Sequence, residues 1–193
     1  MNNAFKVFKD SIDYDISEGS IVLRQQIFLE KFLLQHEEIR YIAETGFNGG
    51  ISSACMLSTR KDIKVISFDI CSHDYCINAK NLIDKQFPNR HILITGDSLQ
   101  SIATLKSIFK DDYPIDFLFI DGSHIHPHPQ SDLTNLLEYL KPKHYLVMDD
   151  YCKFYGKEGV IDAWHKMVDE KKIMQIGKPY YILDRGFVLG RKL

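Results

Sequence analysis

Short apolar runs alternate with longer stretches whose apolar residues recur every three or four positions, and this alternation fills most of the chain. The runs Ile39 to Glu44, Lys64 to Ile70, His91 to Thr95, Phe117 to Ile120 and Tyr145 to Met148 have the length and the β-branched and aromatic content of buried strands. Helical stretches are predicted between and after them: from Ser52 through Leu57, from Tyr75 to about Gln86, from Leu99 to Phe109, from Gln130 to Leu140, and from Gly159 to Asp169. In the fourth of these, apolar residues at 133, 136, 137 and 140 keep the helix period. Strands alternating with helices predict an α/β fold, a doubly wound, Rossmann-like parallel sheet with helices on both faces. The tail differs. Ile173 to Ile176 and Phe187 to Leu189 read as two short strands joined by a Pro- and Gly-marked connection, a closing antiparallel pair and not another crossover unit. Residues 1–38 are expected to be an N-terminal helical cap segment, with a helix from about Gly19 carrying the apolar stripe Ile21, Leu23, Ile27, Phe28, Phe32 and Leu33. That stripe either covers the sheet or meets a second copy in a homodimer. Residues 39–193 form the α/β unit, and no repeat or linker divides the chain.

Composition narrows the function class. A chain of 193 residues with net charge −2 fits one domain and has no basic stripe for nucleic acid and no polybasic membrane anchor. No apolar run approaches 18 residues, and Met1 to Asp10 lacks the apolar region of a signal peptide, so no membrane association and a cytoplasmic location are expected. Cys55, Cys71, Cys76 and Cys152 form no CxxC pair, which predicts reduced thiols and no structural zinc site.

Acidic residues at strand ends carry the chemistry. Asp121 closes one apolar run, and Asp149 and Asp150 close the next. A carboxylate there is costly to desolvate and gains little packing, so a site explains it better than stability does. Adjacent strands lie about 4.8 Å apart, so pairing of these two would gather three carboxylates, a site for Mg²⁺, or for Mn²⁺ or Ca²⁺. Helix capping is the plainer alternative. The first strand runs into Glu44-Thr45-Gly46-Phe47-Asn48-Gly49-Gly50, whose glycines allow a tight turn and close approach to a ligand. It is not GxGxxG, and Glu44 repels phosphate, so a cationic ligand fits better than a dinucleotide. Asp69, 23 residues after Gly46, suits the two hydroxyls of a ribose. Asp97, followed by Ser98, is either a further ligand contact or only an N-cap. Together these acids describe a cup over a nucleoside.

Taken in order, Glu44 to Gly50, Phe68-Asp69, Gly96-Asp97-Ser98, Phe119 to His124 and Asp149-Asp150-Tyr151 resemble class I S-adenosylmethionine-dependent methyltransferases. The resemblance is to the metal-dependent O-methyltransferases, both the catechol type and those that methylate sugars of macrolide and aminocoumarin antibiotics, and it covers roughly residues 20 to 192. It implies a seven-stranded sheet of order 3-2-1-4-5-7-6 with the last strand antiparallel. It also implies that Glu44 and the Gly46–Gly50 backbone, with Thr45, Phe47, Asn48 and Gly49 in the same loop, hold the methionine part, with Ser52 near its carboxylate. Asp69 takes the ribose, Asp97 and Ser98 flank the adenine, and Asp121 stands on both the cofactor side and the metal side. Asp121, Asp149 and Asp150 match the metal triad, and the last Asp is closer to the sugar-modifying branch. The chain departs from the pattern at Pro142-Lys143-His144, where a Gly-Gly is frequent. It departs again at Ile125-His126-Pro127-His128-Pro129, which replaces a common tyrosine.

His124, three residues past Asp121, stands where catechol-type relatives carry a lysine base, and an imidazole near pKa 6.5 accepts a proton at neutral pH. His126, on an extended Pro-rich loop with His128, is expected to shape the acceptor pocket, with a softer metal site as the alternative. Tyr151 and Tyr155 are candidates to stack on a sugar or phenol ring, Trp164 is expected in the core, and Cys152 is given no nucleophilic role. The acceptor is expected to be a small-molecule hydroxyl, a sugar or glycan before a phenol. The competing readings are a Rossmann-type NAD-dependent oxidoreductase, a non-catalytic S-adenosylmethionine-binding protein and a metal-dependent hydrolase. The last leaves Glu44, Asp69 and Asp97 unexplained.

Overall fold

The computed structural model describes residues 3–16, 21–109, 115–152, 158–182 and 185–193. Two helices, α1 (Asn3–Asp10) and α2 (Leu23–Gln35), precede the sheet. Then β1 (Tyr41–Thr45), α3 (Ile51–Thr59), β2 (Lys64–Asp69), α4 (Tyr75–Gln86) and β3 (His91–Thr95) form the first half. The second half holds α5 (Ser98–Ser101), α6 (Leu105–Phe109), β4 (Ile115–Ile120), α7 (His128–Tyr139), β5 (Leu140–Met148) and α8 (Glu158–Asp169). The strands β6 (Ile173–Gln175), β7 (Tyr180–Ile182) and β8 (Arg185–Lys192) close it. The sheet order is β3-β2-β1-β4-β5-β8-β6, with β7 paired to β8 off that path. Strands β3 to β5 run parallel and β8 is antiparallel to both β5 and β6. This is the expected doubly wound order with one added hairpin strand, since β8 fills the place of the seventh strand.

Side chains alternate between two core layers, as a period of two requires. Ile42, Val65, Phe117, Phe119, Val147 and Phe187 face α1, α2, α3 and α4. Ala43, Ile66, Leu118, Ile120, Met148 and Val188 face α7, α8 and the turns around Ile102 and Leu105. Trp164 of α8 is fully buried in that second layer, as expected.

Three cations bind backbone carbonyls at helix ends and in the turns just past them. Arg60, just past α3, donates from Nη1 to Leu33 O (2.6 Å) and His36 O (2.9 Å), and from Nη2 to Glu37 O (3.2 Å) and Ile39 O. It thereby ties the end of α2 and the turn before β1 to α3. Arg90 holds Leu57 O and Arg60 O, and Lys192 holds Leu137 O and Leu140 O beyond α7.

Four details differ from the sequence reading. The helix expected over 99–109 is split into α5, a 3₁₀ turn at Ile102–Thr104 and α6. There the Thr104 and Ser107 hydroxyls donate to carbonyls three residues back, which competes with the α-helical ladder. A further helix, α1, packs Phe5 and Phe8 into the core. On α2, Leu23 and Ile27 lie on the exposed side, 57% and 42% exposed, while Gln25 and Gln26 are buried. Gln25 is engaged at both ends of its amide, taking Val22 N–H and donating to Asp149, whereas Gln26 donates to Ile21 O and leaves its Oε1 without a hydrogen bond. Finally, Cys71 and Cys76 are joined as a disulfide, whereas Cys55 and Cys152 are free and buried. Loop 70–74 folds back at Cys71 (φ +53°), which brings together two sulfurs that spacing alone left apart.

Candidate active site

The carboxyl ends of five strands are stitched together by backbone hydrogen bonds that run past the ladders. Gly96 N–H reaches Asp69 O, Gly46 N–H reaches Phe68 O, Asp121 N–H reaches Thr45 O, and Asp149 N–H reaches Ile120 O, all between 2.8 and 3.0 Å. The sequence-predicted acids therefore sit along one edge, in the order of the sheet. Gly46 (φ +85°) lies so close to the β4 turn that a Cβ there would stand 1.9 Å from Asp121 O. Only glycine allows the two turns to touch.

A narrow cleft opens at this contact, lined by Ile21, Gly46, Phe47, Asn48, Gly49, Ile51, Ser52 and Asp121. The N-terminal segment covers it: Tyr14 Oη donates to Gly49 O (3.2 Å), and Ile16 fills the space beside Gly49. Asp69 is held at the next strand end, its Oδ2 accepting from Asn48 N–H (2.8 Å) and its Oδ1 from Cys71 N–H (2.6 Å). A carboxylate oxygen offers two acceptor directions, so both oxygens keep capacity for a diol. Asp97 caps α5 through Leu99 N–H (3.0 Å) and also meets His128 Nε2 (3.1 Å). The capping reading holds for it.

Other expected cofactor residues turn inward. Glu44 is fully buried, and its carboxylate accepts from Ser52 (2.8 Å), Ser53 and Ser67 (2.6 Å). Burial pushes its pKa up to about 7, against the pull of those three hydroxyls. Ser52 is thus engaged by Glu44, and Phe47 is buried against the His91 ring at 5.0 Å. Thr45 is buried as well, its hydroxyl facing Asp132 across Gly122.

Beside the cleft, Asp121, His124 and Asp150 each present a donor atom, all within 4.8 Å of one another. His124 Nε2 lies 2.5 Å from Asp150 Oδ2. Two carboxylates and an imidazole suit a hard or borderline divalent cation. Asp149 is placed differently from its two companions. Its Oδ1 accepts from Gln25 of α2 and from Asp150 N–H (2.8 Å), so it braces the turn from behind. Asp150 adopts φ +54°, an uncommon backbone for a non-glycine residue.

The acceptor-side residues separate. His126 is exposed on the loop after His124, while Tyr151 is 5% exposed, packs edge-on against Trp164 and shares a hydrogen bond with His165 Nε2 (2.8 Å). It is therefore a core residue and offers no free face to an acceptor. Tyr155 lies outside the described residues.

Sequence reasoning missed two residues. One is Gln25, visible only as a polar residue on the apolar side of α2. The other is Asp132 on α7, 1% exposed, where burial drives its carboxyl pKa upward. The hydroxyls of Ser98 and Thr45 approach Asp132 without either oxygen completing a hydrogen bond of normal geometry. Its position eleven residues after Asp121 carries no signal by itself.

The sequence matches a family model described as a methyltransferase domain over residues 43–151, which runs from the glycine loop to the second acidic turn. No curated protein sequence matches it. Among solved structures, it is similar to an O-methyltransferase from Bacillus cereus in complex with SAH, at 17% identity and a TM-score of 0.76, covering 98% of this chain and 89% of that one. It is also similar to the O-methyltransferase TomG from Streptomyces achromogenes, involved in tomaymycin synthesis and solved with SAM, at 16% identity and a TM-score of 0.80, covering 100% and 90%. A third similar structure is an SAH-bound methyltransferase from Podospora anserina, at 13% identity and a TM-score of 0.70, covering 98% and 86%.

Proposed function

We propose, for a chain that belongs to the methyltransferase-domain family by a match over residues 43–151, that it is an O-methyltransferase moving the methyl group of S-adenosylmethionine to a hydroxyl of a small acceptor with the help of a divalent metal. The carrying observation is the convergence of Asp121, His124 and Asp150 beside the cleft under Gly46. That arrangement puts an acid-rich, proton-accepting corner next to a row of acids at the strand ends, which a dinucleotide oxidoreductase has no use for.

The residues divide the work. Asp69, fixed by two backbone N–H groups, receives the ribose hydroxyls, and the Gly46–Gly50 backbone borders the methionine part. Asp97 and His128 border the adenine end. S-Adenosylmethionine supplies a methyl group made electrophilic by the sulfonium sulfur. Asp121 and Asp150 would hold the metal, with Asp149 and Gln25 bracing the turn that presents them. A bound Mg²⁺ or Mn²⁺ lowers the pKa of an acceptor hydroxyl. His124, whose Nε2 lies beside Asp150 Oδ2, would take the hydroxyl proton. The acceptor oxygen then forms its bond to the methyl carbon as the carbon–sulfur bond breaks, and that electron pair stays on sulfur. His126, exposed two residues past His124, would meet a sugar or a phenol, and a sugar hydroxyl is the preferred acceptor because two carboxylates and an imidazole surround the reacting position.

Calorimetric titration of S-adenosylhomocysteine and of Mg²⁺ into wild type and His124→Gln tests this reading. Both proteins should bind both ligands alike, and the variant should lose about 100-fold or more in turnover once an acceptor is in hand. Loss of Mg²⁺ affinity in the variant would make His124 a ligand and not the base. Failure of wild type to bind S-adenosylhomocysteine would end the methyltransferase assignment in favour of a protein that keeps only the fold.

A further inference from the structure

Cys71 and Cys76 stand beside the carboxylate assigned to the ribose, and the proposed chemistry makes no use of them. Their Cα atoms are 5.6 Å apart, within the span a disulfide bridges, and the structure joins them. Cys71 N–H holds Asp69 Oδ1 at 2.6 Å, and the Asp69, Cys71 and Cys76 donor atoms lie within 4.8 Å of one another. Cys76 is the second residue of the twelve-residue α4 and is 1% exposed, whereas Cys71 is only half-buried. Between them, Tyr75 stacks on His73 (4.9 Å) and on Tyr14 (6.0 Å), the residue whose hydroxyl covers Gly49. One short loop therefore connects a sulfur pair, the ribose carboxylate and the cover of the glycine turn.

The geometry points to Cys71 and Cys76 as a thiol/disulfide modification site that sets how firmly Asp69 is presented to a ribose diol, so that cofactor affinity follows the redox state of the pair. This rests on the cofactor reading above. With the bridge closed, loop 70–76 is pinned and Asp69 Oδ1 keeps its N–H partner; with the bridge open, the left-handed Cys71 backbone loses the tether that holds it. Reduction runs through a low-molecular-weight thiol of the glutathione class. Its thiolate attacks the accessible Cys71 sulfur, the Cys71–Cys76 bond breaks, and the electron pair leaves on Cys76 at the amino end of α4, where the helix dipole favours a thiolate. A second thiolate attacks the mixed disulfide at the glutathione sulfur and frees Cys71. Overall the protein disulfide gains two electrons and two protons, and two thiols become one glutathione disulfide. The reverse reaction oxidises the pair. Cys55, buried with its pKa pushed up to about 12, and Cys152, 6% exposed, stay outside this exchange.

The test equilibrates the wild-type chain in glutathione buffers of graded ratio, then reads thiols by alkylation and mass spectrometry and S-adenosylhomocysteine affinity by calorimetry. A single two-electron step confined to Cys71 and Cys76 is expected, with affinity about fivefold or more higher in the oxidised form, the low end of couplings between linked sites. By reciprocity, saturating S-adenosylhomocysteine must make the pair harder to reduce by the same factor, about 20 mV for a fivefold coupling. A merely structural bridge would not show that shift. Absence of the step, or equal affinity in both states, overturns the inference while leaving the methyltransferase reading intact. A clean step with no binding in either state overturns both.

Discussion

Glu44 and His91 share the hydroxyls of Ser53 and Ser67, and burial moves their two pKa values in opposite directions. Glu44 rises from 4.5 to about 7, so the folded state holds a proton there that the unfolded state releases. Stability from that group falls as pH rises through the window. His91 drops from 6.5 to about 3, chiefly by burial and then by Lys80, so the folded state keeps the ring neutral where the unfolded chain would charge it. Stability from that group rises with pH. Between pH 4.5 and 6.5 the two slopes cancel. Glu44→Gln should unmask His91: chemical denaturation of the variant is expected to show stability climbing with pH by about 1.4 kcal/mol per pH unit more steeply than wild type over that range. An unchanged slope would mean that the network does not titrate in this way. The same pair shows where residue-level reading stops. An acid at the end of the first strand is visible in the sequence, but its three serine partners come from α3 and β2, and only the fold reveals that it faces inward.

At the level of elements, Arg60 joins α2, α3 and the turn before β1 through one planar side chain, itself 14% exposed. Arg60→Met leaves partly buried carbonyls of Leu33, His36 and Ile39 without that donor and should cost about 3 kcal/mol, read as a lower denaturation midpoint at constant slope. A loss below about 1 kcal/mol would mean that water replaces the guanidinium. Element existence was largely legible, because a period of two or of 3.6 is written in local sequence. Tyr75–Gln86 and His91–Thr95 match their predicted spans. What local pattern could not carry is the choice of face. Leu23 and Ile27 belong to a stripe read as covering the sheet or meeting a second copy; within the chain they stay exposed, and Gln25 takes the inward position because Asp149, 124 residues away, supplies its partner. For the same reason the sequence groups Asp121 with Asp149 and Asp150, whereas the donor atoms that lie within 4.8 Å of one another belong to Asp121, His124 and Asp150, and Asp149 accepts from Gln25.

The whole molecule behaves as one body around its acidic edge, since α1 and α2 share a core with α3, β1 and β4. Ligand at the edge should therefore be felt globally. S-Adenosylhomocysteine at 100 times its Kd is expected to add about 2.7 kcal/mol, a Tm rise of about 5–10 °C for a chain of this size. A rise with NAD and none with S-adenosylhomocysteine would reverse the assignment. The sheet order has a further consequence, for synthesis. β8 follows β6 and β7 in sequence, yet it lies between β5 and β6. From Met148 to Arg185 is 37 residues, so at the usual elongation rate the nascent chain carries β5 as an open, apolar edge for about 2–7 s. Until β8 docks, β5 lacks its partner on that side, and this edge is open to pairing with another strand.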